Sequence, residues 1–231
     1  MKEKEKAVNW MEMESRQIAV CKTDKALLEL VDSLKPSGDR FPAHIHAAGE
    51  KEENRERSLI RLQMVDYSKG TGMAAVQVFA NISPEEAIFL YSRVYSCVEN
   101  FTFSADKIFG KDEEDEKRAI MTRLYIARYA KDKSGKARTY PWYVDIQNGT
   151  GIPQKNRNGG TFCMENSYLK KKEVSIYLSD ADMFRLFCRA DAWIRSFEAE
   201  YAYRKRRQEN FLNLYRLLKR EIWKEKNADA A

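Results

Sequence analysis

Residues 82–93 read I-S-P-E-E-A-I-F-L-Y-S-R, and residues 178–189 read L-S-D-A-D-M-F-R-L-F-C-R. The two align without a gap at an offset of 96, pairing Ser83 with Ser179, Glu86 with Asp182, Leu90 with Leu186, Tyr91 with Phe187 and Arg93 with Arg189. A Ser that accepts the backbone N–H three residues on, with an acid there reaching back, is a capping box and starts a helix. Pro84 at the first helical position strengthens the first of them. Each start follows an alternating apolar stretch, 75–79 and 174–178, which reads as a strand. A G-T-G stands upstream of each, at 70–72 and 149–151, an offset of 79, so the second unit carries 17 extra residues. The pattern predicts an α+β fold with an antiparallel sheet and capped helices, built as two strand-turn-strand-helix repeats at 58–100 and 118–200. The alternative is that any amphipathic helix after a strand begins this way.

Working outward, 59–65 and 75–79 read as strands joined by the turn D-Y-S-K-G-T-G at 66–72. Residues 120–129 and 140–146 read as a hairpin closed by D-K-S-G at 132–135. Residues 2–34 hold neither Gly nor Pro, and Val20, Leu27, Val31 and Leu34 fall at helical spacing, so 1–35 reads as an N-terminal helix. Pro36, Gly38 and Pro42 open a polar linker, 36–57. Between these, 58–200 forms the α+β core. From Asp180 to Asn227 nothing breaks a helix. Met183, Phe187, Ala190, Ile194, Phe197 and Tyr201 step by four and three, and the same phase resumes at Phe211, Tyr215, Leu218 and Ile222 after a polar interruption. The last core helix therefore continues as a basic tail, 201–231.

The chain has 231 residues, 43% of them hydrophobic, enough to bury a core. Its net charge is +6, and 201–226 alone holds nine Lys or Arg against three acids. Residues 149–172 hold five cations against one acid, while 112–116 are all acidic. Clustered cations of this kind favour polyanionic partners. The four Cys, at 21, 97, 163 and 188, have no zinc-site spacing. With no signal-peptide pattern and no apolar run of about 18 residues, the expectation is a cytoplasmic protein with reduced thiols and no membrane span.

Candidate chemistry is sparse. The only two His, His44 and His46, stand in F-P-A-H-I-H, a His-hydrophobe-His pair similar to the one with which relaxases and rolling-circle initiators hold a metal beside a nucleophilic Tyr. That resemblance would make Tyr125 or Tyr129 the nucleophile of a DNA nickase, but the pair follows Pro42 in a polar stretch without a third ligand. Asp145 and Glu165 could hold Mg²⁺ for phosphodiester attack, yet acids are so frequent here that the pairing carries little information. No phosphate loop or nucleophile elbow occurs. The sequence thus points to no enzyme, no cofactor and no metal.

A binding surface remains. N-G-T-G-I-P-Q-K-N-R-N-G-G-T-F-C, residues 148–163, is a Gly- and Asn-rich basic loop. Lys155, Arg157, Lys170, Lys171 and Lys172 would contact phosphates, while Trp142, Tyr143 and Phe162 would stack on bases, as in single-strand binders. Arg204, Lys205, Arg206 and Arg207 would add non-specific attraction. The order of strands, capped helix and basic loop resembles the PC4-type and whirly-type single-strand DNA binders, an analogy of fold alone. Separately, D-Y-S-K-G-T-G, Y-P-W-Y-V-D-I-Q-N-G-T-G and L-S-D-A-D-M-F-R-L-F, across about 58–200, are similar to small proteins of no assigned activity on conjugative and other mobile elements of gut bacteria. That resemblance implies a DNA-handling or host-interaction setting. The expectation is a non-enzymatic nucleic-acid binder, preferring single-stranded DNA. The alternative is a protein-binding accessory or inhibitor factor, or a homodimer, acting through the helix at 180–226.

Overall fold

The computed structural model of the protein describes residues 16–35 and 58–228. β1 (Gln17–Lys22), β2 (Ala26–Ser33), β3 (Leu59–Asp66) and β4 (Val76–Ile82) form one antiparallel sheet in that order, followed by helix α1 (Pro84–Tyr95). β5 (Asn100–Phe109), β6 (Ala119–Tyr129) and β7 (Trp142–Gly151) begin a second. A separate small hairpin of β8 (Pro153–Lys155) and β9 (Thr161–Cys163) intervenes, and β10 (Leu169–Leu178) then completes the second sheet beside β7. Helix α2 (Asp180–Ala228) follows. The fold is α+β, and each half is four antiparallel strands and a capped helix.

Both helices begin where the capping boxes place them. Ser83 Oγ accepts the Glu86 N–H at 3.1 Å while the Glu86 carboxylate accepts the Ser83 N–H at 2.7 Å. Ser179 Oγ accepts the Asp182 N–H at 3.2 Å, and Asp182 Oδ2 accepts the Ser179 N–H at 3.3 Å. Leu90 and Leu186, paired by the offset of 96, are both fully buried on their helices. The third and fourth strands are joined by nine residues in the first sheet, 67–75, and by 17 in the second, 152–168, a difference of eight rather than the 17 of the aligned stretches.

One core joins the two four-stranded sheets and both helices. Alternate residues of the first sheet point inward, among them Leu28 and Leu30, Ile60, Leu62 and Met64, and Val78, Ala80 and Ile82. The second sheet supplies Leu124, Ile126, Trp142, Val144, Ile146, Val174, Ile176 and Leu178. The helices add Ala87 and Leu90, then Met183, Leu186, Phe187, Ala190 and Ile194. The sheets meet along β4, an edge strand whose outer backbone groups would lack partners. The Asn148 amide of β7 supplies those of Phe79: Nδ2 donates to the Phe79 carbonyl at 2.7 Å, and Oδ1 accepts the Phe79 N–H at 3.0 Å.

Several expectations are corrected. Residues 17–33 are not helical; they form the β1–β2 hairpin, whose burial alternates with a period of two. Thr23 closes its turn, accepting the Ala26 N–H at 3.1 Å and donating to the Ala26 carbonyl at 3.0 Å. The core therefore includes residues well before 58, and each half has four strands rather than two. Strand β5 had no counterpart in the sequence reading. The two G-T-G stretches are not equivalent: 70–72 turns the chain between β3 and β4, while 149–151 lies within β7. The rest of the expected N-terminal helix, the linker 36–57 and His44 and His46 fall outside the described residues. Among the described residues no helix is long and apolar enough to cross a membrane.

Candidate nucleic-acid interface

The second sheet turns its even-numbered β6 and β7 residues to the core and its odd-numbered ones outward. Across β10, β7, β6 and β5, register sets three rows on the outer face. The first is Tyr177, Tyr143, Ala127 and Thr102; the second Ser175, Asp145, Tyr125 and Ser104; the third Glu173, Gln147, Arg123 and Asp106. Tyr129 lies one row before the first. The rings form a continuous patch: Tyr143 and Tyr177 centroids are 5.0 Å apart, and Tyr125 and Tyr143 6.3 Å. The Tyr125 and Tyr129 hydroxyls are hydrogen bonded at 3.1 Å. Tyr177 is 56% exposed and Tyr129 40%. The bond to Tyr129 raises the Tyr125 pKa, and burial raises that of Tyr143, so both phenols are neutral at neutral pH and repel no anion.

The middle of the face is polar. Asp145 is buried, and burial raises its carboxyl above the usual range. Its Oδ2 accepts from Gln147 Nε2 at 2.9 Å, and the same amide nitrogen donates to Glu173 at 2.9 Å. Tyr168 lays its ring on the Arg123 guanidinium, 4.0 Å from its centroid. Asp145 Oδ1, Arg123 Nε and the Tyr168 hydroxyl are buried without a hydrogen-bond partner.

Two basic turns border this face. The β6–β7 connection carries Lys131, Lys133, Lys136 and Arg138, all exposed. Asp132 Oδ1 organises its turn, accepting the Ser134 and Lys136 N–H groups at 2.8 and 3.0 Å. At the opposite end, the β8–β9 hairpin carries Lys155 and Arg157, exposed and without an ion-pair partner among the described residues. Its tip spends its amides internally, since Asn156 Oδ1 accepts the Asn158 and Gly160 N–H groups at 3.1 and 2.7 Å. The loop is thus no backbone nest for an anion; its side chains are what it offers. The glycines upstream let the returning chain lie on β7. A Cβ at Gly149 would stand 2.1 Å from the Leu169 carbonyl oxygen, and one at Gly151 would stand 2.5 Å from Cys163 Sγ.

The expected residues divide. Tyr143 lies in the tyrosine patch, and Phe162 is 44% exposed on β9. Trp142 is corrected: it is fully buried, edge-on to Phe101 at 6.3 Å, with Nε1 donating to Asp180 Oδ1 at 2.7 Å. Arg128 holds the same Asp180 carboxylate through two bonds of 2.9 and 3.0 Å. A β-bulge divides the lysine triplet. Lys170 is ion paired with Glu173, and Lys171 with Asp112 and Glu114 at 3.4 and 3.1 Å, so neither is free for phosphate. Lys172 is exposed and joins Lys171, Arg61 and Phe79 around a cleft of about 670 Å³ between the sheets. Arg204 pairs with Glu200, Arg206 and Arg207 are exposed, and Lys205 lies on the same helix. These four stand on α2, which packs mainly on α1 and β1.

Sequence reasoning missed Tyr177 and the cations of the β6–β7 turn. The alternation Tyr143, Asp145, Gln147 against Trp142, Val144, Ile146 carried the signal for the outer face. As for catalysis, the bond that raises the Tyr125 pKa disfavours its phenolate, the form a nucleophile needs. Asp145 is buried in β7 and Glu165 is exposed, and no group of three or more His, Cys, Asp or Glu is placed to hold a metal among the described residues. Compared with known proteins, the chain matches no family model, no curated protein and no solved structure.

Proposed function

We propose that the protein binds single-stranded nucleic acid on the outer face of the second sheet, bases on the tyrosines and phosphates toward the two basic turns. The observation that carries this reading is the continuous array of Tyr125, Tyr143 and Tyr177 on the two central strands and one edge strand of an antiparallel sheet. Exposed aromatics on such a sheet stack bases splayed from a single strand, which a duplex cannot present. The acids sit in the middle of the face and the unpaired cations at its borders, which suits bases inward and phosphates outward. Lys155 and Arg157, with Lys133 and Lys136, are the phosphate contacts in this arrangement.

Fluorescence anisotropy with labelled single-stranded and duplex oligonucleotides tests it. Single strands bind more tightly, and affinity falls with salt. Replacing Tyr143 and Tyr177 together by Ala lowers affinity about tenfold or more, since stacking contributes about 1–3 kcal/mol per base. Lys155→Glu with Arg157→Glu weakens binding and flattens its salt dependence. A folded tyrosine double variant that binds like the wild type would sink the proposal.

A second reading rests on a different observation. Beyond residue 202, α2 exposes Tyr203, Phe211, Leu212, Leu214, Tyr215, Leu217 and Leu218, each at least 44% accessible. Such side chains on a projecting helix suit a protein contact, whose affinity salt would barely change.

A further inference from the structure

We propose that the tyrosine face reads the edge of the base it stacks, selecting bases with an exocyclic amino group over thymine or uracil through Asp145 and Glu173. The inference rests on the single-strand reading above and names its ligand more closely.

The geometry gives each row a role. The rings of Tyr143 and Tyr177 are contiguous, with centroids 5.0 Å apart and planes tilted by 47°, a surface on which a flat heterocycle can stack. Along the same strands the next two rows lie about 3.3 Å per residue further on. Ser175 and Asp145 come first, then Glu173 and Gln147. A base lying on the platform therefore turns one edge toward carboxylates. Asp145 is only 7% exposed, and its Oδ1 has no donor. A buried carboxylate oxygen left without a hydrogen bond is costly and seldom kept without a use. Gln147 bonds Asp145 Oδ2 and Glu173 Oε1 through one amide nitrogen, and Lys170 holds Glu173 Oε2, so Asp145 Oδ1 is the oxygen left over. Oδ1 is reached by the small side-chain rotations common at interfaces on binding.

Acceptors choose donors. Cytosine and adenine present one amino group, and guanine presents an amino group beside a ring N–H, matching two carboxylate oxygens. Thymine and uracil present a single imide N–H flanked by carbonyls, which face a carboxylate unfavourably. A carboxylate accepting from a base amino group is a recognised mode of base discrimination. The expected order is guanine first, then cytosine and adenine, then thymine or uracil.

The test is anisotropy with labelled all-thymine oligonucleotides and with the same length alternating thymine with guanine, cytosine or adenine. The wild type should bind the amino-bearing strands about tenfold more tightly than all-thymine. Asp145→Asn, which keeps the shape and loses the charge, should remove most of that preference, lowering affinity for the amino-bearing strands and raising that for all-thymine. Glu173→Gln, at an exposed position, should lower the preference and serves if Asp145→Asn melts early. Equal wild-type affinity for all four strands, or a preference that survives in both folded variants, overturns base reading while single-strand binding stands. Binding to none of the strands overturns both.

Discussion

Trp142 and Tyr143 are neighbours in sequence and opposites in role. The first fills the core and the second faces out, because consecutive strand residues point to opposite sides. The inward choice was legible, since Val144 and Ile146 share the Trp142 phase while Tyr143 shares that of Asp145 and Gln147. What the sequence did not show is the partner of the indole N–H. Asp180 takes it together with the nearly buried Arg128 guanidinium, tying β6 and β7 to the start of α2. Asp180→Ala should cost about 1–2 kcal/mol at pH 7, the scale of hydrogen bonds to charged groups lowered because the Asp180 carboxylate is half exposed. Arg128 holds the Asp180 carboxyl below its usual range. A depressed carboxyl stabilises above its unfolded pKa of about 4 and loses that contribution as pH falls through the folded value. Urea melts should therefore show wild type and variant well separated at pH 7 and converging below pH about 4. A gap that stays constant with pH would remove the ion pair from the account.

At the level of elements, propensity and packing part company in 17–33. Val20, Leu27, Val31 and Leu34 stand at helical spacing, yet only Leu34 of these is buried in the core, which takes Ala26, Leu28 and Leu30 with a period of two. The turn at Thr23 and pairing with β3 decide the outcome, because a strand is stabilised by partners far along the chain. The capped helices were legible for the converse reason: a capping box and its periodic face lie within a dozen residues. The lysine triplet shows a third case. Only pairing with β7 creates the bulge that parts Lys170 from Lys171 and Lys172. Asn148 is an element-scale residue too, acting as a substitute strand for β4. Asn148→Ala should leave the Phe79 N–H and carbonyl without partners and destabilise by about 1–3 kcal/mol. Thermal melts check the loss, and hydrogen exchange should show it concentrated in β4; unchanged protection there would contradict the bridging role.

For the whole molecule, charge and packing are separated in space. The buried part of α2 ends near Ile194 and Phe197, and a helix of 49 residues extends about 73 Å. Its far part carries cations and exposed apolar side chains, and none of its described side chains joins the core cluster. Ending the chain after residue 202 should leave the melting temperature within a few degrees of the intact protein, because stability resides where apolar area is buried. A large fall would show that the distal helix is stabilised in solution, as a partner or second copy would do. In binding experiments the truncated protein should lose non-specific affinity and keep base preference, since the tyrosine face stands elsewhere.

The sequence alone determined what depends on neighbours a few positions away. That covers the α+β class, the two capped helices, the β6–β7 hairpin turn and the continuous helix from Asp180. It also determined which residue types were available for binding. Only the tertiary structure decided which of them meet. Strand pairing placed Tyr125, Tyr143 and Tyr177 side by side across three strands, put Trp142 and Arg128 inside, and set the acids of the outer face between two basic turns. Those choices rest on register and burial between residues tens of positions apart, and local composition carries no record of them.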